Sequence, residues 1–209
     1  MTRRAARRTR AYIGLGANLG DAAGILATAV QGLAALPGVS LRGVSRLYAS
    51  DPVGVTNQPE FRNAVVALDV PAGPDPATGA IALLVALKHL EAAFGRQVRE
   101  RWGPRELDLD LLVFGRARLA IERPPDGRSL DAEYDPARAS RLLEVPHPAT
   151  HERLFVLVPL ADLVPGLVPP GWGETVASAR DRRLRLERPA GVRVLARWDP
   201  VGRGWQALG

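Results

Sequence analysis

Apolar and polar positions alternate in two different periods along this chain, and the changes of period mark out its elements. Residues 11–16 are a short apolar strand candidate that runs into a Gly-rich turn, after which Asp21 stands where a helix cap belongs. Ile25, Leu26, Ala29, Val30 and Leu33 share one face of a helix reaching Leu36, and Pro37-Gly38 ends it. Residues 39–48 alternate as a strand, with Val44 and Ser45 near its middle, and a loop with Pro52, Gly54 and Pro59 follows. Residues 61–70 return to alternation and predict the partner strand of an antiparallel pair. Thr78 can cap a second helix, whose apolar positions Leu83, Leu84, Leu87, Leu90 and Phe94 recur at helical spacing until Gly95 closes it. A basic loop then leads to a strand over 107–114, and 154–160 reads as a further strand.

The order β-α-β-β-α-β predicts an α+β fold, a ferredoxin-like sandwich with helices on one face of a mostly antiparallel sheet and added C-terminal elements. The expected domain covers 11–169. Within it, residues 117–141, with Pro124-Pro125 and Asp126-Gly127, have no period and read as a surface insertion. Residues 170–209 read as a peripheral C-terminal extension, and 1–10 as a disordered basic tail.

Composition narrows the function. Hydrophobic residues make up 46% of the 209, yet no apolar run approaches the roughly 18 residues that cross a bilayer, so no membrane role is expected. The absence of cysteine excludes disulfides and thiolate metal sites. The net charge of +6 raises nucleic acid as a partner. Its distribution argues otherwise: residues 1–10 carry +5 and 170–209 carry +4, which leaves 6 − 9 = −3 for the body.

The sharpest chemical signal is Arg101-Trp102-Gly103-Pro104-Arg105-Glu106-Leu107-Asp108-Leu109-Asp110. On a strand, Leu107, Leu109, Leu111 and Val113 face one side while Asp108 and Asp110 face the other, close enough to hold one or two hard cations between them. An isolated D-x-D is more often a pair of acids on a solvent face. Arg96, Arg99, Arg101 and Arg105 tilt the balance, because phosphate transfer needs cations beside metal-binding carboxylates. The Gly-rich segment 13–20 lacks the third glycine of a dinucleotide fingerprint and any Gly-Lys-Ser/Thr, so its glycines read as a tight turn and close packing. His147, in Val145-Pro146-His147-Pro148, can donate to a phosphate or serve an ordinary structural role, and its flanking prolines argue against a zinc site shared with His151. An RNA-binding module of similar fold is the rival reading, but it expects exposed aromatics where this strand carries Asp108 and Asp110.

Four blocks, spanning roughly residues 11–165, resemble the 6-hydroxymethyl-7,8-dihydropterin pyrophosphokinase family. They run from Tyr12 to Asp21, from Pro52-Val53-Gly54 through Gln58-Pro59-Glu60-Phe61-Arg62-Asn63, from Glu91 through Asp110, and over Val145–His147–Pro148 with Arg153–Leu157. The resemblance implies an enzyme that transfers pyrophosphate from ATP to the hydroxymethyl group of the pterin and releases AMP, a step of folate synthesis. It implies Asp108 and Asp110 as ligands of two Mg²⁺ ions and Arg96 and Arg105 as cations assisting transfer. Glu91, Arg101, Trp102, His147 and Arg153 match nucleotide-side positions. Asn63 matches the residue that reads the pterin edge, Phe61 and Phe155 the walls that stack on its ring, and Val53 and Gly54 backbone contacts. The expected protein is a cytoplasmic monomer whose partners are small-molecule substrates, with no nucleic acid or membrane.

Overall fold

The first strand starts three residues earlier than its apolar run. In the computed structural model, which describes residues 7–52, 54, 57–95, 104–124, 140–187 and 191–208, β1 is Arg8–Ala17. The Arg8 guanidinium donates to the carbonyls of Gly38 (2.7 Å) and Asp69 (2.9 Å), and Arg10 Nε donates to Asp69 (2.7 Å). Polar cross-strand contacts thus extend β1 into part of the expected tail, where side chains bury little but the ladder and charge pairs still hold. Residues 1–6 lie outside the described residues.

Helix α1 (Ala22–Ala35) follows, with the Asp21 carboxylate accepting from Gly24 N at 3.0 Å. Strands β2 (Ser40–Val44) and β3 (Leu47–Ser50) divide the stretch expected as one strand, and both pair with β4 (Phe61–Pro71). The break is Ser45, whose Oγ accepts from Val65 N (2.9 Å) and replaces a side chain that would continue the alternation. Helix α2 (Pro76–Ala93) is capped by Asp75, not by Thr78: Asp75 accepts from Thr78 N (2.9 Å) and from the Thr78 hydroxyl (2.7 Å). Pro76 favours that earlier start, since its fixed φ suits the first turn, where no N–H is needed. Gly95, at φ +79°, closes the helix as expected.

Strand β5 (Asp108–Phe114) pairs with β1, and the sheet order β5-β1-β4-(β2, β3) is the antiparallel core arrangement of a ferredoxin-like sandwich. Leu26, Ala29, Val30 and Leu33 of α1 and Leu83 and Leu87 of α2 bury against Ala11, Ile13, Leu15, Leu107, Leu109 and Leu111. The register then slips: Ile13 pairs with Leu111 but Tyr12 with Val113. This bulge leaves Leu112 unopposed, so Val113 joins Leu112 on the opposite face and Phe114 returns to the α1/α2 face. Val113 therefore departs from the simple alternation that holds from Leu107 to Leu111.

That opposite face is not bare. Residues 154–160 are not a strand but part of α3 (Leu154–Leu163), in which Leu154, Leu157, Leu160 and Ala161 are buried. A run of unbroken apolar residues carries no period-2 signal, and burial at three- and four-residue spacing makes it helical. With α4 (Val176–Leu186, capped by Thr175), α3 packs on Tyr12, Val65, Ala67, Leu112 and Val113, so helices cover both faces of the sheet.

The start of the expected insertion pairs with the stretch that follows it, β6 (Leu119–Glu122) with β7 (Arg141–Val145), while 125–139 lie outside the described residues. The C-terminal stretch adds β8 (Val192–Asp199), paired with β3, and β9 (Gly204–Ala207), paired with β8. Trp198 and Trp205 meet edge to face at 4.8 Å, and Trp205 Nε1 donates to the Ser45 carbonyl (3.0 Å). Residues 192–207 thus extend the main sheet at its β3 edge.

Candidate active site

Register assembles the site. Gly16 of β1 stands opposite Asp108 on one side and Asn63 on the other, and Gly14 stands opposite Asp110 and Val65. Directly opposed residues share a face, so Asp108, Asp110, Asn63 and Phe61 all project from the face that α3 covers only at its far end. The floor between the two acids and Asn63 is bare backbone. A Cβ on Gly16 would stand 3.8 Å from Asn63 Oδ1, and one on Gly14 3.3 Å from Leu112 Cδ2. These glycines lie inside a strand, not in the turn that the Gly-rich segment suggests; the turn residue with positive φ is Gly20, at +59°.

Asp108 and Asp110 are both partly exposed, and Arg105 Nη1 donates to Asp108 Oδ1 at 2.9 Å. Behind them lies Glu91, 1% exposed, on the α2 side of the strand. Its Oε1 accepts from Leu109 N at 2.7 Å, and Lys88 Nζ donates to both of its oxygens at 2.8 and 3.0 Å. A carboxylate so far from water requires such partners, and here they fix the strand backbone between the two aspartates. The donor set in front, two carboxylates over an open floor, fits a hard divalent cation.

Asn18, which sequence reasoning did not single out, joins the parts. It is buried; its N donates to the Arg105 carbonyl (3.0 Å) and its Oδ1 accepts from Arg105 N (2.7 Å). Its Nδ2 donates to Gln58 Oε1 and to the Pro59 carbonyl, both at 3.0 Å. One amide therefore ties the turn after β1 to the segment before β5 and to the segment before β4. An amide is the side chain suited to this, since it donates and accepts at once. Ser50 is a second addition: its Oγ accepts from Asn63 Nδ2 at 2.8 Å and orients that buried amide.

The remaining expected residues that are described fall in three places. Phe155 lies in the first turn of α3, with the guanidinium of Arg153 5.7 Å from its ring centre. His147 donates its backbone N–H to Leu112 (2.9 Å) and lines a cavity of about 670 Å³ with Arg118, Glu144, His151 and Trp172. Gly54 is exposed, with φ +86°. Val53, Arg96, Arg101 and Trp102 lie outside the described residues.

A ferredoxin-like sheet with paired carboxylates, an adjoining arginine and a buried amide on one face has groups that suit a kinase-type transferase, one that moves a phosphorus group from a nucleotide to a small acceptor. The comparisons with known proteins give the particular family. The profile of 7,8-dihydro-6-hydroxymethylpterin-pyrophosphokinase (HPPK) matches residues 12–165, and the chain belongs to that family. It is 42% identical over 184 residues to the 2-amino-4-hydroxy-6-hydroxymethyldihydropteridine pyrophosphokinase of Methylorubrum extorquens, covering 88% of this chain and 97% of that one. It is 40% identical over 158 residues to the same enzyme of Pseudomonas aeruginosa, covering 76% of this chain and 82% of that one. Among solved structures, the fold is similar to wild-type HPPK-DHPS of Plasmodium falciparum with pterin and p-hydroxybenzoate, at TM-score 0.69 and 15% identity over 99% of this chain. This chain spans about half (49%) of that longer one, and the likeness concerns the fold. The activity is pyrophosphoryl transfer to 6-hydroxymethyl-7,8-dihydropterin in folate biosynthesis, with ATP as co-substrate.

Proposed function

We propose that the open face of the sheet between Asp108 and Asn63 is where this transfer happens, and that Asp108 and Asp110 hold two Mg²⁺ ions with the ATP. The observation that carries the reading is the register that sets the acids and the amide in one row across Gly16. Mg²⁺ held there would offset the charge on the phosphate oxygens. The rest falls to this chain's own residues. Asn63 meets the hydrogen-bonding edge of the pterin, while Phe61 and Phe155 stack on its ring and Val53 and Gly54 give backbone contacts. Arg105 and Arg96 are the cations that assist transfer, and Glu91, Arg101, Trp102, His147 and Arg153 serve the nucleotide side. Of these, Glu91 would act from behind the strand, through the backbone that carries both aspartates. The hydroxymethyl oxygen attacks the β-phosphorus and gives up its proton to solvent. The bond from that phosphorus to the oxygen bridging to the α-phosphate breaks, and AMP leaves.

The protein is proposed to work as a monomer in the cytoplasm, where ATP is held. Among the described residues no helix is long and apolar enough to cross a membrane. Isothermal titration with pterin and with a non-hydrolysable ATP analogue tests the division of the site: Asn63→Ala should lose pterin affinity alone, and equal loss for both ligands would overturn it.

A further inference from the structure

The match to the family profile ends at residue 165, yet the chain goes on to build strands against the substrate side of the sheet. β8 pairs with β3 in the register Ser50↔Val192, and Asp51 N donates to the Gly191 carbonyl (3.4 Å). Without β8, β3 would be an edge strand, and β3 carries the hydroxyl that holds Asn63. From the next residue of β8, Arg193 Nη2 reaches both carboxylate oxygens of Glu60, the contact to Oε2 being 2.6 Å. Glu60 directly precedes Phe61, and Arg62 Nη1 lies 3.5 Å from it. The entry to β4 is therefore gripped from two sides, by Asn18 at the Pro59 carbonyl and by Arg193 at the Glu60 side chain. Arg193 holds the Glu60 carboxyl below its ordinary range, so the pair stays charged through neutral pH.

We propose that Arg193 is a positioning residue for the pterin side: through Glu60 it fixes the start of β4, and with it Phe61 and Asn63, which makes the C-terminal hairpin part of the substrate-binding apparatus. This rests on the placement of the pterin at Phe61 and Asn63 given above. Both side chains are partly solvated, at 55% and 37% exposure, so the effect has the size of a surface pair, about three- to fivefold in affinity.

The test uses the full chain and the variants Arg193→Ala, Arg193→Lys, Glu60→Gln and the swap Arg193→Glu with Glu60→Arg. Pterin affinity is measured by calorimetry with a non-hydrolysable ATP analogue present, beside KM for each substrate and Tm. Arg193→Ala and Glu60→Gln should weaken pterin binding about three- to fivefold, leave KM for ATP unchanged and lower Tm by no more than the roughly 2–4 °C a surface pair accounts for. Arg193→Lys should recover most of the loss, because a single nitrogen makes both contacts, and the swap should restore it. The difference should shrink at high salt, as expected for an exposed pair. Parent-like pterin affinity in Arg193→Ala would overturn the inference, as would equal weakening of both substrates or a loss that follows Tm. A parent protein that fails to bind pterin at all would instead remove the site reading beneath it.

Discussion

Asn18 carries more of the site than its place in a Gly-rich turn suggests, because its partners are remote: Gln58 is 40 residues away and Arg105 is 87. No local pattern could announce them. The same holds for Ser50, which orients Asn63 from another strand, whereas Asp108 and Asp110 were legible because strand alternation alone puts them on one side. Asn18→Ala would strip a buried backbone N–H and two acceptors of their partner, at roughly 1–3 kcal/mol of stability. Its Tm should fall, and kcat should fall further than in Asn18→Asp, which keeps the acceptor for Arg105 N; equal kcat in the two variants would separate Asn18 from the catalytic segment. Gly16→Ala probes the floor in the opposite sense. The new Cβ has ordinary contact distance to Asn63 and the backbone φ is unstrained, so the protein should fold as well or up to about 1 kcal/mol better. Turnover should nonetheless drop, and unchanged turnover would mean the substrates do not approach that floor.

At the level of elements, the helices with polar faces and the first half of the strand over 107–114, to Leu111, could be read from the chain, since their periods survive burial on one side only. α3 could not, because Leu154–Leu163 is apolar nearly throughout and such a run fits a buried strand or a buried helix equally. Nor does any Gly or Pro mark the bulge at Leu112 that turns Val113 to the α3 side. The beginning of β1 was missed for a different reason: Arg8 and Arg10 hold the strand by polar contacts, which hydrophobic periodicity does not register. Arg10 and Arg42 keep the Asp69 carboxyl below its ordinary value of 3.8. A carboxyl whose folded pKa is depressed adds stability above its unfolded pKa and loses it as pH falls towards the folded one. Removing residues 1–6 should leave Tm and activity unchanged at neutral pH. Removing 1–10 should lower Tm at neutral pH, and by less below about pH 4, where Asp69 is protonated in the unfolded chain; equal losses at both pH values would take Asp69 out of this account.

Over the whole molecule, the described helices on both faces leave one end of one face open among the described residues, and elements from distant parts of the chain shape that opening. α1 and α2 bury one side, with Glu91 bracing β5 from beneath; α3 and α4 cover the other side as far as Tyr12 and Val65; the C-terminal strands extend the sheet beyond Ser50. The ferredoxin-like core and the acid pair followed from the order and period of the elements. The second helical layer and the C-terminal strands did not, because they depend on which surfaces meet, and that is decided across the fold. The central claim is that the acid pair serves transfer of pyrophosphate rather than folding, and its most direct measurement is nucleotide product formation. Parent, Asp108→Ala and Asp110→Ala are incubated with ATP and 6-hydroxymethyl-7,8-dihydropterin across a Mg²⁺ titration. The parent should yield AMP in step with pyrophosphorylated pterin, and each variant should lose on the order of 10²-fold or more in turnover with Tm unchanged or raised. ADP as the product, or parent-like turnover and Mg²⁺ dependence in both variants, would contradict it.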